Sequence, residues 1–89
     1  MHPFNSTTYI KFELPELANV QIVVYNSLGQ KVTELVNDNK PAGYHRVSWN
    51  GKSLNGSDVS SGIYFCQFKA KGAVSGKVYQ NLSKMVLMK

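Results

Sequence analysis

Apolar side chains recur at every second position along almost the whole chain, and no stretch of about 11 residues carries the stripe of an amphipathic helix. A period of two sends successive side chains to opposite faces, so it dictates strands that turn one face toward a core. In residues 8–14, Ile10, Phe12 and Leu14 alternate with Tyr9, Lys11 and Glu13, and Pro15 ends the run because it has no N–H to give to a ladder. Val20, Ile22 and Val24 repeat the pattern, with Val23 and Tyr25 making the second face partly apolar. Asn26-Ser27-Leu28-Gly29 reads as a turn, Val32 to Val36 as a short strand, and residues 37–43, dense in Asn, Asp, Pro and Gly, as a break. Tyr44 to Trp49 is a further strand with His45, Val47 and Trp49 on one face.

Residues 50–62 lose the periodicity, and Asn50-Gly51, Asn55-Gly56 and Ser61-Gly62 each mark a tight turn there. Ile63 to Ala70 is the strongest strand, with Tyr64, Cys66, Phe68 and Ala70 on one face and Ile63 and Phe65 on the other. A weaker segment around Ala73 and Val74 lies between Gly72 and Gly76, and residues 78–89 close the chain as a β-rich run. This pattern predicts an all-β antiparallel sandwich of six or seven strands, forming one domain over residues 1–89 without linker, repeat or low-complexity tract. Shared parity assigns Ile10, Phe12, Val20, Ile22, Val24, Val47, Trp49, Tyr64, Cys66 and Phe68 to the core.

With 89 residues there is room for one such core and little room for a deep pocket, which argues against an independent enzyme. No apolar run exceeds four residues, as in Met85 to Met88, far short of the ~20 that span a bilayer. A secretory leader does not open the chain, and Met1-His2-Pro3 reads as the start of a piece cut from something longer, whereas Lys89 reads as a natural terminus. The single cysteine, Cys66, excludes an internal disulfide and a cysteine-based zinc site. A net charge of +5 would attract anionic partners, yet nine of the ten basic residues are lysines scattered singly along the chain. Nucleic-acid readers concentrate charge on one element and use Arg for bidentate contacts, so no nucleic-acid partner is expected.

The chemistry-bearing residues are sparse. His2 and His45 are the only histidines, no spacing brings three ligands together, and His45 is expected to be a hydrogen-bonded structural residue. Cys66 alternates with Tyr64 and Phe68, which makes it a small core residue rather than an exposed nucleophile. The loop over residues 50–62 is rich in oxygen ligands, but Asp58 is its only carboxylate and Lys52 opposes a cation. The five carboxylates contain no close pair for acid–base work. No catalytic residue, cofactor or metal is therefore expected. Asn5-Ser6-Thr7, Asn55-Gly56-Ser57 and Asn81-Leu82-Ser83 match the glycosylation triplet and are assigned no function.

Five short motifs, in order, resemble a known family. They are Pro3-Phe4-Asn5-Ser6-Thr7-Thr8 leading into Ile10-Lys11-Phe12 and Leu14-Pro15; Val24-Tyr25-Asn26-Ser27-Leu28-Gly29-Gln30-Lys31-Val32; Ala42-Gly43-Tyr44-His45 through Val47-Ser48-Trp49-Asn50-Gly51; Ser61-Gly62-Ile63-Tyr64-Phe65; and Lys84-Met85-Val86-Leu87-Met88-Lys89. The chain resembles the type A C-terminal sorting domain of the type IX secretion system, which is closely similar to the Ig-like domain of flagellar hook-capping proteins. His2 and the asparagines at 26 and 50 depart from that pattern, the last two replacing the more usual Asp.

The resemblance implies an Ig-like fold and a non-catalytic module that directs an upstream passenger domain across the outer membrane. It implies secretion machinery and a sortase-like peptidase as partners, a cut upstream of Pro3, and a destination outside the cell or on its surface by way of the periplasm. Lys84, Met85, Val86, Leu87, Met88 and Lys89 are the candidate recognition residues, with Met85 and Leu87 expected to face inward. Two other functions compete with sorting. One is an adhesion or carbohydrate-binding module in which Tyr9, Tyr25, Tyr44 and Phe65 form a stacking platform, and the other is a structural assembly domain.

Overall fold

A computed structural model describes residues 7–88. Six strands follow one another: β1 (Thr8–Leu14), β2 (Ala18–Asn26), β3 (Lys31–Lys40), β4 (Gly43–Trp49), β5 (Gly62–Gly72) and β6 (Val78–Leu87). They form two antiparallel sheets, a small one of order β1-β4 and a large one of order β3-β2-β5-β6. Connections of four and five residues make antiparallel neighbours of β2 and β3, and of β5 and β6. The long segment between β4 and β5 instead carries the chain from the small sheet to the large one. This is the β-sandwich that the alternation predicts, with the Ig-like fold that the resemblance implies.

The core lies between the sheets. Val20, Ile22 and Val24 of β2 are fully buried, because β2 is hydrogen-bonded on both edges and covered on its inner face. Trp49, Tyr64, Cys66, Ala70, Met85 and Leu87 complete it with Leu14 and Ala18. Ile10, Phe12, Val47 and Phe68, which parity assigns to the core, are only partly buried and pack against its border. Parity fixes the face a residue points to, but coverage depends on what lies opposite.

Two sequence expectations change. The strand expected to stop at Val36 continues to Lys40, and Asn37, Asp38 and Asn39 pair in register with Gln21, Val20 and Asn19. Asn and Asp disfavour strands in isolation, but β2 presents an open edge here, and Asn19 Nδ2 donates to Asn39 Oδ1 at 3.2 Å. The weaker segment at Ala73 and Val74 is the β5–β6 turn rather than a seventh strand. It closes with Gly72 N–H donating to Lys77 O at 2.8 Å and Gly76 N–H to Gly72 O at 3.1 Å.

Two aromatic contacts join the sheets. Trp49 meets Tyr64 edge-on with ring centroids 5.1 Å apart, and Phe12 meets Phe68 at 5.2 Å. The polar ends of the first pair hold the segment between β4 and β5. Trp49 Nε1 donates to Lys52 O at 3.0 Å and Tyr64 OH to Ser60 O at 2.6 Å. Within that segment Gly51 and Gly56 sit at φ of 75° and 85°, the left-handed turn conformation that the Asn-Gly pairs announce.

Glu16, in the β1–β2 connection, braces the β5–β6 turn. Its carboxylate accepts from Ser75 N–H at 3.0 Å, from Val74 N–H at 3.2 Å and from the Ser75 hydroxyl. The Ser75 hydroxyl and then its N–H hold the Glu16 carboxyl below the ordinary glutamate range. Gly72 leaves the room for this contact, since a Cβ there would stand 2.5 Å from the Glu16 carboxyl carbon.

Trp49→Ala should cost about 3–5 kcal/mol and lower the urea denaturation midpoint accordingly. An unchanged midpoint would make Trp49 peripheral. Because Glu16 is more acidic in the folded chain than in the unfolded one, its contribution is present at neutral pH and is lost as pH falls through and below the ordinary glutamate value. Glu16→Gln should therefore flatten the acid side of a plot of denaturation midpoint against pH.

Candidate docking side

The large sheet ends in two edge strands of unlike chemistry. β3 carries four charged residues in ten (Lys31, Glu34, Asp38 and Lys40), and its register against β2 shifts at Ile22/Val23 and Val24/Tyr25. Charges and bulges are the usual protection of a free edge. β6 carries one charge in ten, Lys84, and its register against β5 runs unbroken from Lys71↔Val78 to Gly62↔Leu87. Its free edge is regular and barely guarded.

The small sheet is open on the same side. Among the described residues β1 pairs with β4 alone, and the short β3–β4 connection closes the opposite side of the sandwich. Between β1 and β6 lies a groove of about 550 Å³ with Phe12, Phe68, Cys66 and Met85 in its lining. That volume falls in the range of about 300–1,000 Å³ typical of ligand sites. Asn81 and Ser83 share the inward parity of Met85, yet both are exposed, because among the described residues no strand of the small sheet covers this part of β6. Asn81 Nδ2 donates to Ser83 Oγ at 3.1 Å.

The six candidate recognition residues do not converge. Met85 and Leu87 face inward as expected and belong to the core. Lys84 and Val86 take the opposite parity, in register with Phe65 and Ile63, and are exposed, Val86 to 58%. Lys84, Met85 and Val86 line the groove, Met88 is exposed just past the strand end, and Lys89 lies outside the described residues.

The other candidate residues occupy structural positions. His45 stacks on Phe12 at 5.1 Å and donates from Nε2 to Pro41 O at 2.7 Å, while His2 lies outside the described residues. Burial pushes the Cys66 thiol above its ordinary value, which opposes thiolate chemistry. Lys52 Nζ sits 2.6 Å from Asp58 Oδ1 and occupies the lone carboxylate of that loop. Among the described residues no three His, Cys, Asp or Glu side chains gather. The proposed stacking platform divides: Tyr9 and Tyr44 lie on the outer face of the small sheet, Tyr25 and Phe65 on the outer face of the large one. Strand parity alone does not say which sheet a strand joins. The exposed inward positions of β6 also escape the sequence, since alternation marks Asn81 and Ser83 only as polar.

The family model of the FlgD Ig-like domain matches residues 1–76. The chain belongs to that family. A crystal structure of FlgD from P. aeruginosa shares the fold with a TM-score of 0.72 at 23% identity, covering 92% of this chain and 63% of that one. The chain thus spans less than two thirds of that FlgD chain. No curated protein matches. The match is to an Ig-like domain and points to no enzyme family. It stops at residue 76, so β6 lies beyond the part that matches the family.

Lys84→Gln and Val86→Thr should each move the denaturation midpoint by less than the equivalent of about 0.5 kcal/mol, as exposed positions do. Leu87→Ala should cost about 2–5 kcal/mol. Equal losses at all three positions would contradict the division of this strand into a core face and an outer face.

Proposed function

We propose that this chain is a non-catalytic structural assembly module that joins protein segments along its open β1–β6 side. The observation that carries the reading is the contrast between the two edges of the large sheet. β3 is charged and irregular, whereas β6 is regular and nearly uncharged beside an apolar groove. Free strand edges associate readily, so an edge left unguarded beside an apolar groove suits a partner's approach. Membership in the FlgD Ig-like family supports an assembly role of the kind implied by the likeness to flagellar hook-capping domains.

The test charges the open side without touching the core. Leu82→Lys with Val86→Lys alters two exposed outer-face positions of β6. Introduced into the longest natural protein that contains this domain, the pair should abolish incorporation into larger complexes on size-exclusion chromatography. Normal incorporation of a folded double variant would end the reading.

A second reading, sorting, is favoured by the position of Lys84-Met85-Val86-Leu87-Met88. The segment that resembles the closing motif of sorting domains lies on an edge strand paired, among the described residues, with β5 alone, so its release would break one ladder and leave β1–β5 joined. In this reading outer-membrane secretion machinery takes up that segment, a sortase-like peptidase cuts upstream, and the passenger reaches the cell surface or medium through the periplasm. Deleting residues 85–89 should abolish export of a fused passenger in a host that has this secretion system, and Lys84→Gln should reduce export with the fold intact. Normal export after the deletion would remove sorting and leave assembly.

A further inference from the structure

The two sheets are unequal, and the inequality is concentrated on one side. The small sheet has two strands against four, and its outer strand there is β1, whose second edge pairs with nothing among the described residues. Across the groove the inward positions Asn81 and Ser83 of β6 are exposed. A strand laid beside β1 would meet a free backbone edge on one flank and the lining residues Phe12, Phe68 and Met85 below it.

The outer face of the small sheet adds a charge preference. Lys11 of β1 and Arg46 of β4 stand directly opposite one another in the antiparallel register. Like charges in that arrangement destabilise a sheet. Arg46 lies over the Tyr9 ring at 4.7 Å, and among the described residues neither cation forms a salt bridge. Glu13, two residues along the same face of β1, supplies one carboxylate there, so a carboxylate on the neighbouring strand would offset the repulsion beside Lys11 rather than beside Glu13. A second copy of the chain, itself at +5, would bring more positive charge to the same place.

We propose that β1 accepts an extended peptide of a partner protein as a third strand of the small sheet, with apolar side chains inward over Phe12 and Phe68 and acidic side chains outward beside Lys11. The proposal rests on the assembly reading and names the partner's chemistry. β1 has seven residues, so the segment recognised is about seven residues long, roughly 23 Å of extended chain.

The probe is a synthetic heptapeptide alternating Val and Glu, titrated into the 89-residue protein by calorimetry and followed by amide hydrogen exchange. Binding should protect amides of β1 and weaken as salt rises. The same peptide with Lys in place of Glu should not bind. Methylation of its backbone nitrogens along one edge should weaken binding at least about tenfold, the equivalent of a lost backbone bond. Lys11→Glu should weaken the acidic peptide by about tenfold or more, the size of one charge-assisted contact. Ser83→Trp, which fills the groove from an exposed position, should abolish binding while the denaturation midpoint holds. No binding of the acidic peptide, equal binding of the Lys peptide, undiminished binding of both methylated forms (one for each edge), or protection confined to β6 would each overturn the proposal. Self-association of the protein without peptide would replace it with a second copy as the occupant. If peptide binding fails while the Leu82/Val86 variants still disrupt assembly, this inference falls and the assembly reading stands.

Discussion

The edge-on contact of Trp49 with Tyr64 is the constraint on which the rest of the arrangement depends. It joins the end of the small sheet to β5, a central strand of the large one, across the longest of the connections at which the chain changes sheets. Both rings bury their apolar bodies and turn their polar ends to backbone carbonyls of the crossing segment, at Lys52 and Ser60. An indole N–H or phenol O–H buried without such a partner would oppose the packing that the ring area supplies. The same two residues therefore fix the spacing of the sheets and the path of the longest connection.

Phe12 and Phe68 make the other aromatic crossing, with a different outcome. They stand where two strands face four, so they are covered from one side and open toward the groove. The molecule consequently has one finished flank, closed by the short β3–β4 connection and guarded by charges on β3, and one unfinished flank between β1 and β6. That asymmetry is the feature to which a function can attach.

Much of this is legible in the residues. Alternation locates β1, β2, β4 and β5, β-rich composition locates β6, and the Asn-Gly pairs locate turns because Asn and Gly tolerate positive φ. Less legible is anything that depends on a neighbour. Asn37, Asp38 and Asn39 read as a break and are a strand, because β2 offers them hydrogen bonds that no local propensity records. Glu16 carries no local signature, since its partners Val74 and Ser75 lie 58 and 59 residues away. The inward parity of Met85 and Leu87 is legible in the candidate recognition segment, but its place on an edge strand follows only from its pairing with β5.

The sequence by itself determined the fold class, the positions of most strands and the face of each that turns inward, because a side-chain period of two and the turn residues are local properties of the chain. It also carries two His, one Cys and five scattered carboxylates at spacings that lead to no expectation of metal or acid–base chemistry. Tertiary structure decided which strands share a sheet, and hence that the four candidate aromatics divide between two faces, that β6 is an edge and that Lys11 confronts Arg46. Those facts depend on strand order and register across dozens of residues, and period two is the same whatever the order.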